Sequence, residues 1–346
     1  MPDFFSSNPI KVINETNDTL VILGIFGNMS VVGPGVFYQD TSKTFFVSDQ
    51  DMLSDPSRYG ITQTWEGFKL TNPQLKTIHL KEAIYLGSGM DFLFYEATVY
   101  SIAKISSLLS KKIREPYTVI LNSTMQFNMR IFIESYIQRK FPHTTFILAS
   151  KEIILNVSLL QIFSLNSTCL DASMDSLKAA AADMRPINEI DLPVFPTAVL
   201  FKREQGLFFR RKMRKPTNYK FFELVAKLKG FKVLDPALLP VETMIQMCSR
   251  AKLIVSYHSG ALVHTLWCHP GTTIREVHGS WMDPCFQSIA RASELNYEAY
   301  PYKSKGRIQI LRTIGARFFR DDKKLRRSSN WRIPVRDFRK ILSKTI

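Results

Sequence analysis

The sequence is poor in cysteine and has no long apolar run. The four cysteines among its 346 residues are Cys169, Cys248, Cys268 and Cys285. They are too few and too scattered for a disulfide scaffold or a zinc ribbon. The longest apolar stretch, Leu20–Phe26, falls far short of the ~18 residues that a membrane-spanning helix needs. Met1–Ser7 has no basic region followed by an apolar core, so we expect no signal peptide in this chain.

Acidic residues are also scarce, and the excess of basic residues is concentrated in one segment. The net charge is +16, and residues 303–346 contribute +12 of it through 15 Lys or Arg against 3 Asp or Glu. Such a segment attracts nucleic acid, an acidic membrane surface or an acidic polymer without selecting among them. A solvated basic face on terminal helices has the same composition, so both interpretations stay open. The spacing within Pro334–Ile346 predicts a basic amphipathic helix.

Asparagine is unusually frequent in glycosylation acceptor motifs. Six of the 13 asparagines lie in Asn-x-Ser/Thr: Asn14, Asn17, Asn28, Asn122, Asn156 and Asn166. This excess indicates a protein of the secretory-pathway lumen, with chance clustering in a Ser/Thr-rich chain as the alternative.

Apolar spacing divides the first half of the chain into strands and helices. The predicted strands are Leu20–Phe26, Ser30–Val32, Thr44–Val47, Thr77–Leu86, Tyr117–Asn122 and Thr145–Leu148. The predicted helices are Phe92–Leu109, Met125–Phe141 and the alanine-rich Asp171–Met184. Strand, helix and strand therefore alternate, which indicates a parallel sheet with crossover helices.

The second half alternates in the same way and more regularly. The predicted strands are Thr197–Phe201, Phe231–Leu234, Leu253–Ser256 and Thr273–Val277. The predicted helices are Asn218–Lys229, which Gly230 ends, Pro240–Ala251 and Leu262–Cys268. Several of these strands lead into a polar loop and then a helix, and open α/β sheets bind ligands at such loops.

One of these loops has the composition of a phosphate site. Its residues are Ser256, His258, Ser259, Gly260, Ala261 and Leu262. Small residues let backbone N–H groups approach a ligand, and the start of the next helix favours a phosphate. His258 can donate to a phosphate or a hydroxyl. Tight packing alone also accounts for a Gly-Ala pair after a strand.

Basic residues follow the strand at 197–201. They are Arg203, Arg210, Arg211, Lys212, Arg214 and Lys215. Arginine forks pair well with diphosphate oxygens, although an exposed charged loop has the same composition. Glu276 ends a strand, where its carboxylate can accept two ribose hydroxyls or be an ordinary surface charge. Together the three features predict a nucleotide-diphosphate site.

These residues carry a resemblance to glycosyltransferase family 61. Its C-terminal signature runs A-x-x-I-V-G-x-H-G-A-G-L-T-N and then P-G-x-x-V-x-E, and the corresponding segments here are AKLIVSYHSGALVH and PGTTIREV. Upstream, Val199–Arg203, Arg214 with Asn218 four residues later, and Gly230–Leu234 are similar to the family's pattern. The likeness covers about residues 80–280 and is most specific in 197–277.

The resemblance implies a GT-B fold, in which two Rossmann-like α/β domains face each other across a cleft. It implies inverting transfer of a pentose or GlcNAc from a UDP-sugar to a glycan or protein hydroxyl in the endoplasmic reticulum or Golgi. The subgroup that it resembles contains EGF-domain O-GlcNAc transferases and xylosyltransferases. Arginines and helix ends would neutralise the leaving diphosphate, so neither a metal nor another cofactor is required.

The resemblance also assigns donor-site roles. Arg203, Arg214 (or Arg210 or Arg211 in its place) and the His258–Leu262 loop would hold the diphosphate. Asn218 belongs to the same motif, and Glu276 would hold the ribose.

It further predicts four parts of the chain. Residues 1–185 would form an acceptor-side α/β domain with leading short strands, and 186–196 a proline-rich linker. Residues 197–325 would bind the nucleotide sugar, and 326–346 would form a basic helix that packs back on the first domain.

The sequence departs from the family pattern at two places. The family's H-G-A-G-L-T-N is His258–His264 here, without one glycine and the asparagine. The family's N-F-x-H-x-x-x-D/E corresponds to Gly89–Glu96, where Phe92 replaces the histidine. An inverting transfer needs a base for the acceptor proton, and Asp91 and Glu96 are the candidates. An inactive relative that keeps the fold is therefore an alternative.

Other functional classes have weaker support. No Cys or Asp set completes a zinc site around His264 and His269. Ser256 and Ser259 do not lie in the G-x-S-x-G nucleophile elbow of α/β-hydrolases. Aromatic and basic residues interleave in Arg317–Arg320 and Arg326–Arg332, as in single-strand binders. A basic nucleic-acid-binding protein remains the third hypothesis, and association of the basic tail with a membrane surface the fourth.

Overall fold

The computed structural model divides the chain into two compact units, Met1–Asp183 and Met184–Ile346. The structure describes residues 11–13, 21–33, 36–39, 44–47, 75–87, 94–110, 118–150, 152–165, 175–185, 196–202, 216–279, 284–302 and 331–344. No helix within these ranges is long and apolar enough to cross a membrane.

The first unit is built on one mixed sheet with helices. Its strands are β1 (Lys11–Ile13), β2 (Val21–Gly33), β3 (Val36–Gln39), β4 (Thr44–Val47), β5 (Lys76–Tyr85), β6 (Thr118–Asn122), β7 (Thr145–Ala149) and β8 (Ile153–Leu165). Its helices are α1 (Phe94–Ser110), α2 (Phe127–Lys140) and α3 (Asp175–Asp183).

This sheet has an antiparallel half and a parallel half. The strand order is β4-β3-β2-β8-β5-β6-β7, with β1 added beside β2. Strands β8, β5, β6 and β7 run parallel, whereas β2 pairs antiparallel with β8, β3 and β1. The crossover helices predicted for the parallel part are present as α1 and α2. The leading strands belong to the same sheet, and two predicted short strands form the single 13-residue β2.

The second unit contains a sheet in which every strand is parallel. Its strands are β9 (Ala198–Phe201), β10 (Lys232–Leu234), β11 (Leu253–Tyr257), β12 (Thr273–His278) and β13 (Asn296–Pro301). Its α-helices are α4 (Tyr219–Leu228), α5 (Val241–Arg250), α6 (Cys285–Ala292) and α7 (Val335–Ile341), and its 3-10 helices are Pro236–Leu238 and Gly260–Trp267.

The strand order of this sheet, β10-β9-β11-β12-β13, has a reversal point. The chain moves outward from β9 to β10, then crosses back to β11 and continues in the other direction. In doubly wound folds, loops diverge at such a point and leave a crevice at the carboxyl ends of the two strands. This rule predicts a crevice where β9 and β11 end.

Local sequence explains where α4 ends and where α5 begins. Gly230 has φ +74°, a conformation that glycine adopts without strain, and its N–H donates to the Lys227 carbonyl 2.9 Å away. It ends α4 as the sequence predicts. Pro240 precedes the first residue of α5 and Glu242 lies in its first turn, where a carboxylate favours the helix dipole.

The C-terminal helix α7 packs into the second unit. Phe338 and Ile341 lie in one apolar cluster with Phe222 of α4 and Tyr257 of β11, and the rings of Phe222 and Phe338 meet edge to face at 5.0 Å. The apolar side chains of α7 therefore complete the core of its own unit, and the sequence-based expectation that this helix packs back on the first domain stays a prediction.

Candidate functional site

The candidate site lies at the carboxyl ends of β9 and β11, where the sheet of the second unit reverses. The register pairs Phe201 of β9 with Ser256 of β11. Lys202 therefore leaves its strand beside Tyr257, one residue before His258. Lys202, the last described residue before the predicted basic segment, thus lies next to the predicted phosphate loop.

His258 lies buried at this carboxyl edge of the sheet. It is only 3% exposed, and its backbone N–H donates to the Val277 carbonyl of β12 at 3.0 Å. Its Nδ1 contacts a carboxylate oxygen of Glu276, which is fully buried. The ring of Phe286 from α6 packs edge to face on the imidazole, with centroids 5.3 Å apart.

Tyr297 of β13 is the third member of this polar group. Its hydroxyl donates to the second carboxylate oxygen of Glu276. Burial and the Glu276 carboxylate both raise the pKa of Tyr297 above its usual range, so the phenol remains a donor at neutral pH. Both oxygens of Glu276 are thus engaged within the protein.

Strand alternation explains why these three side chains meet. Ser256 and Glu276 are paired in register, so His258 lies on the same sheet face as Glu276. Tyr297 pairs with Ile274, two residues before Glu276 on that face, and is therefore a diagonal neighbour of the carboxylate.

The loop after His258 leads directly into the 3-10 helix Gly260–Trp267, which begins two residues earlier than the predicted helix. Ser259 and Leu262 are buried, whereas Gly260 and Ala261 are partly exposed. The first N–H groups of a helix have no intrahelical acceptor. The Ser256 hydroxyl donates to the Tyr257 carbonyl at 2.8 Å, and its predicted donor contact stays a prediction.

His264 lies in the interior of this 3-10 helix. It is fully buried between Phe201 and Trp267, whose rings lie 6.4 Å and 5.1 Å from its own. Burial lowers the pKa of His264 to about 3, so the ring is neutral at physiological pH. Among the described residues, no group of three His, Cys, Asp or Glu is arranged to hold a metal ion.

Asn218 has a structural environment that differs from the predicted donor contact. It precedes the first residue of α4. Its Nδ2 donates to the Ile333 carbonyl at 2.8 Å, and its Oδ1 accepts from the Ile333 N–H at 3.2 Å. The amide therefore holds the segment that leads into α7.

Several predicted site residues lie outside the described ranges. These are Arg203, Arg210, Arg214 and Asp91, together with Phe92 and most of the linker 186–196. Glu96 falls in the first turn of α1, and only its backbone is described. The predicted roles of these residues stay predictions.

The first unit has a buried polar cluster at the carboxyl ends of β5 and β6. Lys104 of α1 is fully buried, and its Nζ donates to the Gly87 carbonyl at 2.6 Å. The Tyr85 hydroxyl donates to Asn122 Oδ1 at 2.6 Å. A Cβ at Gly87 would lie 2.7 Å from the Asn122 side chain, so only glycine fits. No sequence pattern singled out Lys104 or Tyr85.

Tyr297 and Phe286 were also missed. Both lie beyond Glu276, the last residue of the recognised motif, and their contacts with His258 and Glu276 arise only when β13 and α6 pack beside β12. A tyrosine at the start of a short strand resembles many core residues, so no sequence signal singled it out.

The fold and this site together define an α/β protein with a parallel sheet and a histidine–carboxylate pair at its carboxyl edge. The family model for Glycosyltransferase 61 matches residues 70–275, which is more than half of the chain. The protein belongs to glycosyltransferase family 61, as its motifs predicted. No curated protein matches the sequence.

Proposed function

We propose that this protein is an inverting glycosyltransferase that moves a sugar from a UDP-sugar to a hydroxyl of a glycan or protein. The two units would adopt the GT-B arrangement, with the donor held by the second unit. Family membership supports glycosyl transfer in general. The observation that carries the donor site is the position of His258 at the end of β11, beside the end of β9.

The donor diphosphate fits this edge of the sheet for two reasons. The strand order reverses between β9 and β11, and in doubly wound sheets such a reversal opens a crevice that binds ligands. The chain leaves β9 through Lys202 into the arginines at 203, 210 and 214, whose guanidinium groups pair with phosphate oxygens. The proposal therefore places the diphosphate between these arginines and the His258–Leu262 loop.

His258 would contact the diphosphate through Nε2. Its Nδ1 is engaged by Glu276, which orients the ring and with it the Nε2 that we propose for the donor contact. Because the Glu276 carboxylate is fully buried and holds both His258 and Tyr297, its surroundings favour orientation of the imidazole over the predicted ribose contact.

Transfer would proceed in one displacement. The acceptor oxygen forms a bond to the anomeric carbon as the bond from that carbon to the β-phosphate oxygen breaks, and UDP leaves with the electron pair. The acceptor proton passes to a base, for which we propose Asp91 or Glu96. The arginines would neutralise the charge that develops on UDP, which is why the reaction would proceed without a metal.

A binding titration with UDP tests the donor site on the full chain. We expect UDP to raise the melting temperature of the wild-type protein, and Arg203→Ala to abolish this rise because a diphosphate contact is lost. Arg336→Ala is the matched control, since this arginine lies on α7 with a side chain 87% exposed. No stabilisation of the wild type by UDP would contradict the donor site.

Turnover separates an active enzyme from an inactive relative. UDP release from UDP-GlcNAc and UDP-pentoses is measured with glycan and protein acceptors, and Asp91→Asn and Glu96→Gln identify the base. UDP binding without release in any pairing would indicate a relative that keeps only the binding fold. Oligonucleotide binding with a steep salt dependence, in place of UDP binding, would favour the nucleic-acid alternative.

A further inference from the structure

We propose that Tyr297 is a positioning residue for His258. Its hydroxyl holds the Glu276 carboxylate, and the carboxylate in turn holds Nδ1 of the imidazole, so that the last strand of the sheet orients the ring at the edge of β11. The role of that ring in donor binding rests on the proposed function.

The contacts form one continuous chain across three strands. Tyr297 O–H of β13 donates to one oxygen of Glu276 on β12, and the other oxygen contacts Nδ1 of His258, which follows β11. Glu276 is fully buried and His258 nearly so. A carboxylate in such a place is stable only when donors satisfy both of its oxygens.

This series of contacts determines which nitrogen of the neutral His258 ring carries the proton. A carboxylate accepts but does not donate, so the Glu276 contact selects the Nδ1–H tautomer of the imidazole. If only one of its oxygens were held, the Glu276 carboxylate could rotate and would hold the His258 imidazole loosely. The Tyr297 hydroxyl restricts that rotation, because it holds the second oxygen of Glu276.

The opposite face of the same strands provides a matched comparison. There Tyr300 of β13 donates to Glu298 at 2.6 Å, and Arg275 of β12 donates to the same carboxylate oxygen at 3.1 Å. Tyr300 and Tyr297 are three residues apart on one strand and make the same type of bond, but the Tyr300 group contains no histidine. Removing either hydroxyl deletes one phenol–carboxylate bond from β13.

The test compares Tyr297→Phe with Tyr300→Phe by NMR and by UDP titration of the full chain. Nitrogen-15 shifts of the His258 ring, assigned with His258→Gln, report the tautomer at a pH where the ring is neutral. We expect wild type and Tyr300→Phe to show one predominant Nδ1–H tautomer, and Tyr297→Phe a mixture. We expect the Kd for UDP to rise about 5-fold in Tyr297→Phe, because the hydrogen bond that orients the Glu276 carboxylate is lost. The Kd should stay unchanged in Tyr300→Phe.

The two readouts separate this inference from the proposed function. If UDP binds none of the proteins, the donor-site proposal fails while the tautomer shift still decides the role of Tyr297. An unchanged His258 tautomer in Tyr297→Phe overturns the inference, whatever the Kd. If that variant does not fold, exchange of the Tyr297 hydroxyl proton in the wild type decides: slow exchange supports the bond to Glu276, and rapid exchange overturns it.

Discussion

At the scale of single residues, His264 shows how burial couples protonation to stability. The imidazole lies fully buried against Trp267 and Phe201, and burial lowers its pKa to about 3. The same side chain in an unfolded chain has a pKa of about 6.5. Between these two values the unfolded state binds a proton that the folded state does not, so the free energy of unfolding falls as the pH falls.

We predict that His264→Phe flattens this pH dependence. The variant keeps an aromatic ring of similar size but has no group to protonate. Between pH 7.5 and pH 5 the wild type should lose about 1–2 kcal/mol more stability than the variant. Urea unfolding at a series of pH values measures the difference, and parallel stability curves for the two proteins would contradict it.

Asn218 poses a different question, because motif and structure give it different roles. We predict that Asn218→Ala lowers the free energy of unfolding by about 1–3 kcal/mol, since two hydrogen bonds to buried backbone at Ile333 are lost. The Kd for UDP should be unchanged under conditions where the variant is folded. Chemical denaturation and calorimetry measure the two quantities.

Asn296→Ala is the control for this change. Its side chain also donates to a backbone carbonyl, that of Gly271 at 3.0 Å, but at an exposed position, so we expect a smaller loss. Unchanged stability together with weakened UDP binding in Asn218→Ala would instead support the donor contact that the motif predicts.

At the scale of secondary-structure elements, Arg275 joins the sheet to the end of α7. Arg275 is 5% exposed, and its Nη1 donates to the carbonyls of Ile341 and Ser343 at 3.1 and 2.5 Å. Its Nε donates to Glu298. Burial alone would raise the pKa of Glu298, but the hydrogen bonds from Tyr300 and Arg275 outweigh it and lower that pKa.

We predict that Arg275→Met destabilises the protein by about 2–3 kcal/mol, because charge-assisted bonds to the last carbonyls of α7 are lost. Amide hydrogen exchange should accelerate in residues 335–344. Arg336→Met removes an exposed arginine from α7 itself and should leave both measurements near wild type. Equal exchange rates in the two variants would show that packing alone holds α7.

Elements differ in how well their local sequence predicts them. Thr44–Val47 and the C-terminal end of α4 at Gly230 follow turn residues, and the structure has them where predicted. Strand β8 (Ile153–Leu165) was not predicted, since Asn156, Ser158 and Gln161 interrupt its apolar pattern. Pairing with β2 on one side and β5 on the other stabilises β8 all the same. The pairing with β8 also keeps β2 continuous at Gly27, which lies opposite Leu159.

The site shows the same division between local and long-range information. His258 and Glu276 were found because they lie in a short motif at strand ends. Their mutual contact, and the bond from Tyr297, depend on β11, β12 and β13 lying side by side, which spacing along the chain does not encode.

At the scale of the whole molecule, the acceptor asparagines carry less information about location than their number suggested. Asn122 is fully buried and accepts a hydrogen bond from Tyr85. Asn28 and Asn156 lie within β2 and β8, and Asn156 accepts from the Ser30 hydroxyl at 2.8 Å. A glycan has no room at the buried Asn122 position.

We therefore predict that folded protein produced in a secretory pathway has an unmodified Asn122. Because oligosaccharide is attached to the chain before folding is complete, any molecule modified there should appear in the aggregated fraction. Peptide mapping after enzymatic deglycosylation in heavy-oxygen water measures the occupancy. A glycan on Asn122 in monodisperse protein would contradict the buried position of this side chain.

The two units also differ in what a nucleotide should do to them. The parallel sheet of the second unit has the reversal point and the His258 group, whereas the first unit has a mixed sheet with the buried Lys104–Asn122 cluster. A ligand protects the backbone amides whose opening would disrupt its site. We predict that UDP slows amide hydrogen exchange in peptides covering 255–262 and 273–278. Peptides covering β6 and α2 in the first unit should exchange at unchanged rates, which makes them the internal control.

The effect on 255–262 should disappear in His258→Ala. Protection confined to the first unit would contradict the donor site at this edge and would direct the search for the nucleotide to the ends of β5 and β6.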